Sequence, residues 1–276
     1  MRIAHTLRIF PAVLAAAFAM GTAAQEPPLP TAREIVDRVI ARARQVDDQK
    51  LLQQYDYQLR FVVERLDGSG QVTSRDEHVY QPVRVDGARF SRLVARNGKP
   101  LSGKELEQEA KREREFRKRL AEERKKKPAE REVFRFDEHL VEKYRAEVLG
   151  RETVAGRDAW VLRFEPKGRN LPSRGRYERL LNHVAGKIWV DVADAAIVRA
   201  EGRLLEPVKW GWGLVASIHT LDFTVEQMRM DDGVWLPKEL HTYVQGRIIF
   251  SGVHQRQQST WTDFRKEPPG APGASR

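Results

Sequence analysis

The sequence predicts an α+β protein: one strongly curved antiparallel β-sheet, an incomplete half-barrel, with helices covering its concave face. Three observations carry this. Between Glu147 and Leu205, apolar and polar residues alternate with a period of two, Trp160, Leu162 and Phe164 on one side and Arg163 and Glu165 on the other. Tight turns at Ala155-Gly156-Arg157 and Asp194-Ala195 fold these runs into hairpins. No stretch alternates strand with helix as a parallel α/β fold requires. A sheet with one wet and one oily face needs a cover for the oily one.

The elements follow in order. Arg2 and Arg8 precede an apolar run from Ile9 to Met20, too short to span a bilayer, and Gly21-Thr22-Ala23-Ala24 follows with small residues. This pattern predicts a signal peptide over 1–24, cleaved near Ala24, and export to the periplasm. Its removal would lower the formal net charge from +10 to +8, since two arginines leave with it. Residues 25–30 read as a disordered proline-rich lead-in, 31–266 as a single domain, and 267–276 as a disordered tail. The chain has no cysteine, which excludes disulfides, thiol catalysis, thiolate metal sites and an acylated lipobox cysteine.

Thr31-Ala32-Arg33-Glu34 is a capping box, and Ile35, Val36, Val39, Ile40, Ala43 and Val46 follow it at helical spacing. This helix has one apolar stripe and is the first candidate to cover the sheet. Strands begin near Tyr55, with Tyr57, Leu59, Phe61 and Val63 on one face. Turns at Asp67-Gly68-Ser69-Gly70 and Asn97-Gly98 bound two further strands. Ser102-Gly103-Lys104-Glu105, a second capping box, opens a charged helical insert over about 102–128. Between Lys104 and Glu132 it carries twelve Lys or Arg and nine Asp or Glu. Interleaved signs of this kind mark a solvated, ion-paired helix packed along a thin seam of Leu106, Ala110, Phe116 and Leu120. Its basic end, Arg124-Lys125-Lys126-Lys127, is the candidate contact for a lipid headgroup or a partner.

A short helix is expected at Leu140, Val141 and Tyr144, and another between Arg174 and Val184, the latter either a lid or ordinary core. In the second central hairpin, Ile188, Val190 and Val192 form the oily side, opposite Lys187, Trp189 and Asp191. Long strands from Val215 to Met230 and from Val234 to Gln245, and a last one ending near Phe264, bring the expected total to nine or ten.

Signals for catalysis are missing from this pattern. There is no Gly-x-Ser-x-Gly elbow, no Ser-x-x-Lys and no glycine loop with a phosphate-binding lysine. The histidines show no paired ligand spacing. Asp76-Glu77-His78 and Asp137-Glu138-His139 would point their neighbours to opposite sides of a strand. Glu152, Asp158 and Glu165 read as surface carboxylates among arginines. The expectation is a non-catalytic protein with no cofactor, no metal and no nucleic-acid partner. Aromatic residues are the stronger signal. Tyr57, Phe61, Trp160, Phe164, Trp210, Trp212 and Trp235, with Leu181 of the short helix, are the candidate lining of a loosely filled apolar cavity.

Three runs add a family likeness: Gly150-Arg151-Glu152-Thr153-Val154-Ala155-Gly156-Arg157, Gly186-Lys187-Ile188-Trp189-Val190-Asp191 and Asp232-Gly233-Val234-Trp235-Leu236-Pro237. With the leader, first helix and curved strands, they make the chain resemble the outer-membrane lipoprotein-sorting and lipoprotein-carrier (LolA/LolB-like) superfamily, from about Thr31 to Arg265. The resemblance implies an incomplete barrel closed by helices that holds acyl chains on its apolar side. A soluble periplasmic protein binding a lipid or the acyl chains of a lipoprotein is therefore expected. The alternative is an envelope sensor or scaffold that contacts a protein partner through the basic helix end and the Trp210/Trp212 loop. Peripheral contact with an anionic membrane surface fits either. The charged insert departs from the small carriers.

Overall fold

The computed structural model describes residues 29–125, 136–210, 215–249 and 251–266. The expected signal peptide, most of the lead-in, the tail, and Lys126, Lys127 and Trp212 lie outside them. Among the described residues, twelve strands form one antiparallel sheet that does not close into a barrel. They are β1 (Tyr55–Leu66), β2 (Val72–Val85), β3 (Ala88–Arg96), β4 (Lys99–Pro100), β5 (Tyr144–Val154), β6 (Arg157–Pro166), β7 (Val184–Asp191), β8 (Ile197–Leu204), β9 (Val208–Trp210), β10 (Ala216–Arg229), β11 (Trp235–Ile248) and β12 (Ser251–Lys266). The spatial order is β4-β3-β2-β1-β12-β11-β10-β8-β7-β6-β5, with β9 beside β10. Pairing of β1 with β12 joins the N-terminal meander to the rest. The strands exceed the nine or ten expected because β4 and β9 are only two and three residues long.

Helix α1 (Ala32–Asp48) starts as its capping box requires. The Thr31 N–H donates to Glu34 at 2.7 Å and the Glu34 N–H donates back to the Thr31 hydroxyl at 3.2 Å. Its buried stripe of Ile35, Val36, Val39 and Ile40 packs on Trp160, Leu162 and Val190, giving the main core cluster.

A second cluster occupies the opposite side of the same strands. Ala159 and Val161 alternate with Trp160 and Leu162, and they pack with Trp189, Ala196, Val198 and Trp235. The expectation of a wet face at Trp189 and Asp191 is thus corrected, for both are buried. Trp235, brought from β11, covers Trp189. Asp191 holds Arg157 at 2.6 and 3.0 Å and accepts the N–H groups of Ala193 and Asp194 in the turn.

At the far edge of the sheet, α2 (Lys104–Lys125) docks on β3. Phe116 meets Phe90 at 5.1 Å, but Leu106 stays exposed. Polar contacts do much of the fastening: buried Glu109 accepts the Leu93 N–H at 3.0 Å and pairs with Arg112 at 2.6 Å, and Arg112 stacks on Phe90. The short α3 (Glu138–Val141) and α4 (Arg176–Leu181) are tied together through Glu178, which accepts from Lys143 and Arg174. Helix α4 is shorter than the Arg174–Val184 expected, since Val184 already belongs to β7.

Candidate functional site

Residues directly opposite each other on antiparallel strands point to the same side, so the register sorts side chains into rows. One row runs His78, Phe61, Ser259, Leu240, Val225, Ala200, Ile188, Leu162 and Val148 across nine strands. Leu162 lies under α1, so this is the helix-covered face. The cover is incomplete. Ile188, Leu162 and Val148 are packed into the α1 cluster, whereas Phe61, Leu240 and Val225 are only partly buried.

Moving one residue along every strand gives the opposite row: Glu77, Val62, Gln258, His241, Thr224, Glu201, Lys187, Arg163 and Glu147. A trough of about 890 Å³ follows that row, lined by Val62, Gln258, His241, Thr224, Glu201, Lys187 and Arg163 among others. Charges of both signs line it. Glu64 lies 3.9 Å from Arg75 and 3.7 Å from Arg256, while Arg163 turns outward to Glu147 at 3.3 Å. The sheet therefore presents an oily strip on one face and a charged trough on the other.

Among the described residues, those expected to line the cavity do not converge on one chamber. Trp160, 3% exposed, is sealed in the α1 core, with the Arg151 guanidinium stacked 3.9 Å over its ring. Trp235 belongs to the second cluster, across the sheet, and donates its indole N–H to Asp194 at 2.9 Å. Tyr57 is half-buried between Phe264 and Arg89, at 6.2 and 5.6 Å. Phe61 stacks on His78 at 6.5 Å, and burial lowers the pKa of that histidine. Phe164 packs edge-on against Tyr144 and borders the trough. Leu181 ends α4, its carbonyl accepting the Tyr144 hydroxyl. Trp210 ends β9, opposite Ala216.

At the basic end of α2, Arg124 donates to the Asp86 carbonyl of the β2–β3 turn, and Lys125 pairs with Glu122 at 2.8 Å. No cluster of three His, Asp or Glu able to hold a metal ion occurs among the described residues. None of the helices described is long and apolar enough to cross a membrane. The trough went unread in the sequence because each strand gives it only one or two residues; the signal was the polar half of every alternating strand.

An open antiparallel sheet with helices packed at its ends is the class of fold these residues define. Within it, residues 48–177, from the end of α1 into α4, match the family model of the MucB/RseB N-terminal domain. Among solved structures, the chain is similar to an outer membrane lipoprotein-sorting protein domain from Vibrio parahaemolyticus (12% identity, 85% of this chain and 94% of that one, TM-score 0.36). It is similar also to a LolA superfamily protein from Nitrosomonas europaea (10% identity, 90% and 99% covered, TM-score 0.32). A third is the MucA/MucB complex of Pseudomonas aeruginosa (13% identity, 85% and 99% covered, TM-score 0.26). No curated protein matches the chain.

Proposed function

We propose that this is an exported, non-catalytic binding protein of the periplasm that holds a lipid, or the acyl chains of a lipoprotein, along the apolar strip of its sheet. The observation that supports this reading is the half-open stretch at Phe61, Leu240 and Val225, continuous in register with the sealed core under α1. An acyl chain of about fifteen methylenes laid there would gain on the order of 10 kcal/mol from burial, before ordering costs reduce it. Holding such a chain requires no catalytic group.

A fluorescent fatty-acid probe tests it. The wild-type protein should take up the probe, and Val225→Asp, which places a charge in the strip, should weaken uptake by about tenfold or more. A wild-type protein that ignores fatty-acyl probes and carries no lipid in native mass spectrometry overturns the reading.

A second reading, an envelope sensor or scaffold for a protein partner, is favoured by the trough, whose mixed charges suit a polypeptide better than a hydrocarbon. Charge reversal at Lys187 and Arg203, both of which line the trough, should then abolish capture of a specific partner, and unchanged capture would sink this version.

A further inference from the structure

Three of the most exposed large apolar residues gather at one end of the sheet. Val215 and Ile248 are each 57% exposed and Ile249 55%. They adjoin one another: the Ile249 N–H donates to the Val215 carbonyl at 2.8 Å, and Ile248 and Trp210 both lie opposite Ala216. None belongs to a core cluster.

Ile249 is disfavoured twice over. Its φ is +53°, in the left-handed region where a β-branched side chain is strained and asparagine or glycine sits at much lower cost. Its exposure forgoes the packing that could offset the strain. Among the described residues no core cluster takes up this side chain, which leaves it available to a surface outside the chain.

Charge says which surface. The sequence has no Asp or Glu between Glu206 and Asp222, and none between Glu239 and Asp263, although acidic residues number 39 in 276. These two stretches supply Lys209, Arg247 and Arg256 instead. Lys209 and Arg247 both lie opposite Ser217, on the side of the strands away from Ile248 and Trp210. Lys209 makes no ion pair among the described residues. Arg247 has a contact within the fold, as do Arg124, held by the β2–β3 turn, and Lys125, paired with Glu122.

We propose that this end of the sheet, Trp210, Val215, Ile248 and Ile249 backed by Lys209 and Arg247, is a membrane-contact edge that seats on an anionic lipid surface. The aliphatic tips enter the boundary between headgroups and acyl chains, and the tryptophan takes the interfacial level its ring prefers. The cations meet the lipid phosphates. Contact this small is reversible.

The inference does not rest on the lipid-strip reading, because probe uptake and vesicle sedimentation are separate measurements. The test is cosedimentation of the full chain with vesicles of phosphatidylethanolamine and phosphatidylglycerol, compared with phosphatidylcholine alone, at low and high salt. Binding is expected to the anionic vesicles and to weaken with salt. Ile249→Asn should lower it by about tenfold while leaving the melting temperature equal or higher, because it removes the strain along with the apolar tip. Lost contact is thereby told apart from lost folding. A Val215→Ser, Ile248→Ser pair should act in the same direction. Wild-type protein that stays in the supernatant, or Ile249→Asn that sediments like wild type, overturns the proposal. So does a protein partner that needs these residues when vesicles do not.

Discussion

Replacing Glu178 by glutamine should destabilise this protein far more than a single surface contact would suggest. The Lys143 and Glu178 side chains are 5% and 6% exposed and meet at 2.7 Å. Glu178 also accepts the Arg174 backbone N–H at 2.9 Å and its guanidinium at 2.7 Å. Burial alone would raise the carboxyl pKa, but Lys143 and Arg174 together hold it down to about 2. Glutamine leaves the Lys143 ammonium buried without its counter-charge, which costs about 3–5 kcal/mol. In a domain of this size that lowers the melting temperature by about 10 °C or more. Adding Lys143→Met removes the orphaned charge, so the double variant should recover much of the loss. Acid gives an independent measurement. A carboxyl held below its ordinary value of 4.5 contributes stability that is fully present above that pH and is lost as pH falls toward 2. The span corresponds to about 3 kcal/mol at most. Urea melts followed by tryptophan fluorescence would read both effects. A single variant melting within about 2 °C of wild type, or a double variant no better than the single, would refute the reasoning.

Two further outcomes follow from packing. A Cβ added at Gly186 would lie 1.8 Å from the Glu201 carbonyl oxygen on the neighbouring strand, so Gly186→Ala should cost about 3 kcal/mol or more, read as a drop in urea midpoint at unchanged m-value. Glu109→Gln removes the ionised partner of Arg112 and weakens the acceptor for the Leu93 N–H; α2 should loosen by about 1–3 kcal/mol and its many basic residues become faster sites for trypsin.

Local chemistry was legible in the sequence and long-range placement was not. Both halves of the Thr31–Glu34 capping box form, because their partners are three residues apart. The Asn97-Gly98 turn has φ of 49° and 76°, as a tight hairpin demands. The α1 stripe is read off a period of 3.6 and needs only some apolar surface to meet. Trp189 misled the reading for the opposite reason. Within β7 it alternates with Ile188 and looks wet, and what buries it is Trp235, 46 positions later and reached only through the sheet order. Likewise the apolar pattern of α2 marks Phe116, which meets Phe90, but not buried Glu109, whose contacts also fasten the helix, because hydrophobic periodicity has no means of marking a carboxylate.

The same limit explains why the expected cavity residues scattered while the two rows emerged intact. The cavity expectation groups aromatic residues on one curved sheet, but residue type says nothing about which face a side chain takes. Direction is set strand by strand, and it accumulates across the sheet only when every register is correct. Phe61, Leu240, Val225 and Leu162 each sit beside a polar neighbour, Val62 excepted: His241, Thr224 and Arg163 follow the other row. A slip of one residue in any pair would mix them, burying His241 or Arg163 under the helix side and exposing Leu162, which is fully buried. Selection against that slip is built into the polarity of both rows at once. A two-faced sheet of this kind can offer hydrocarbon and charged polypeptide separate surfaces without either binding mode requiring the other to be given up.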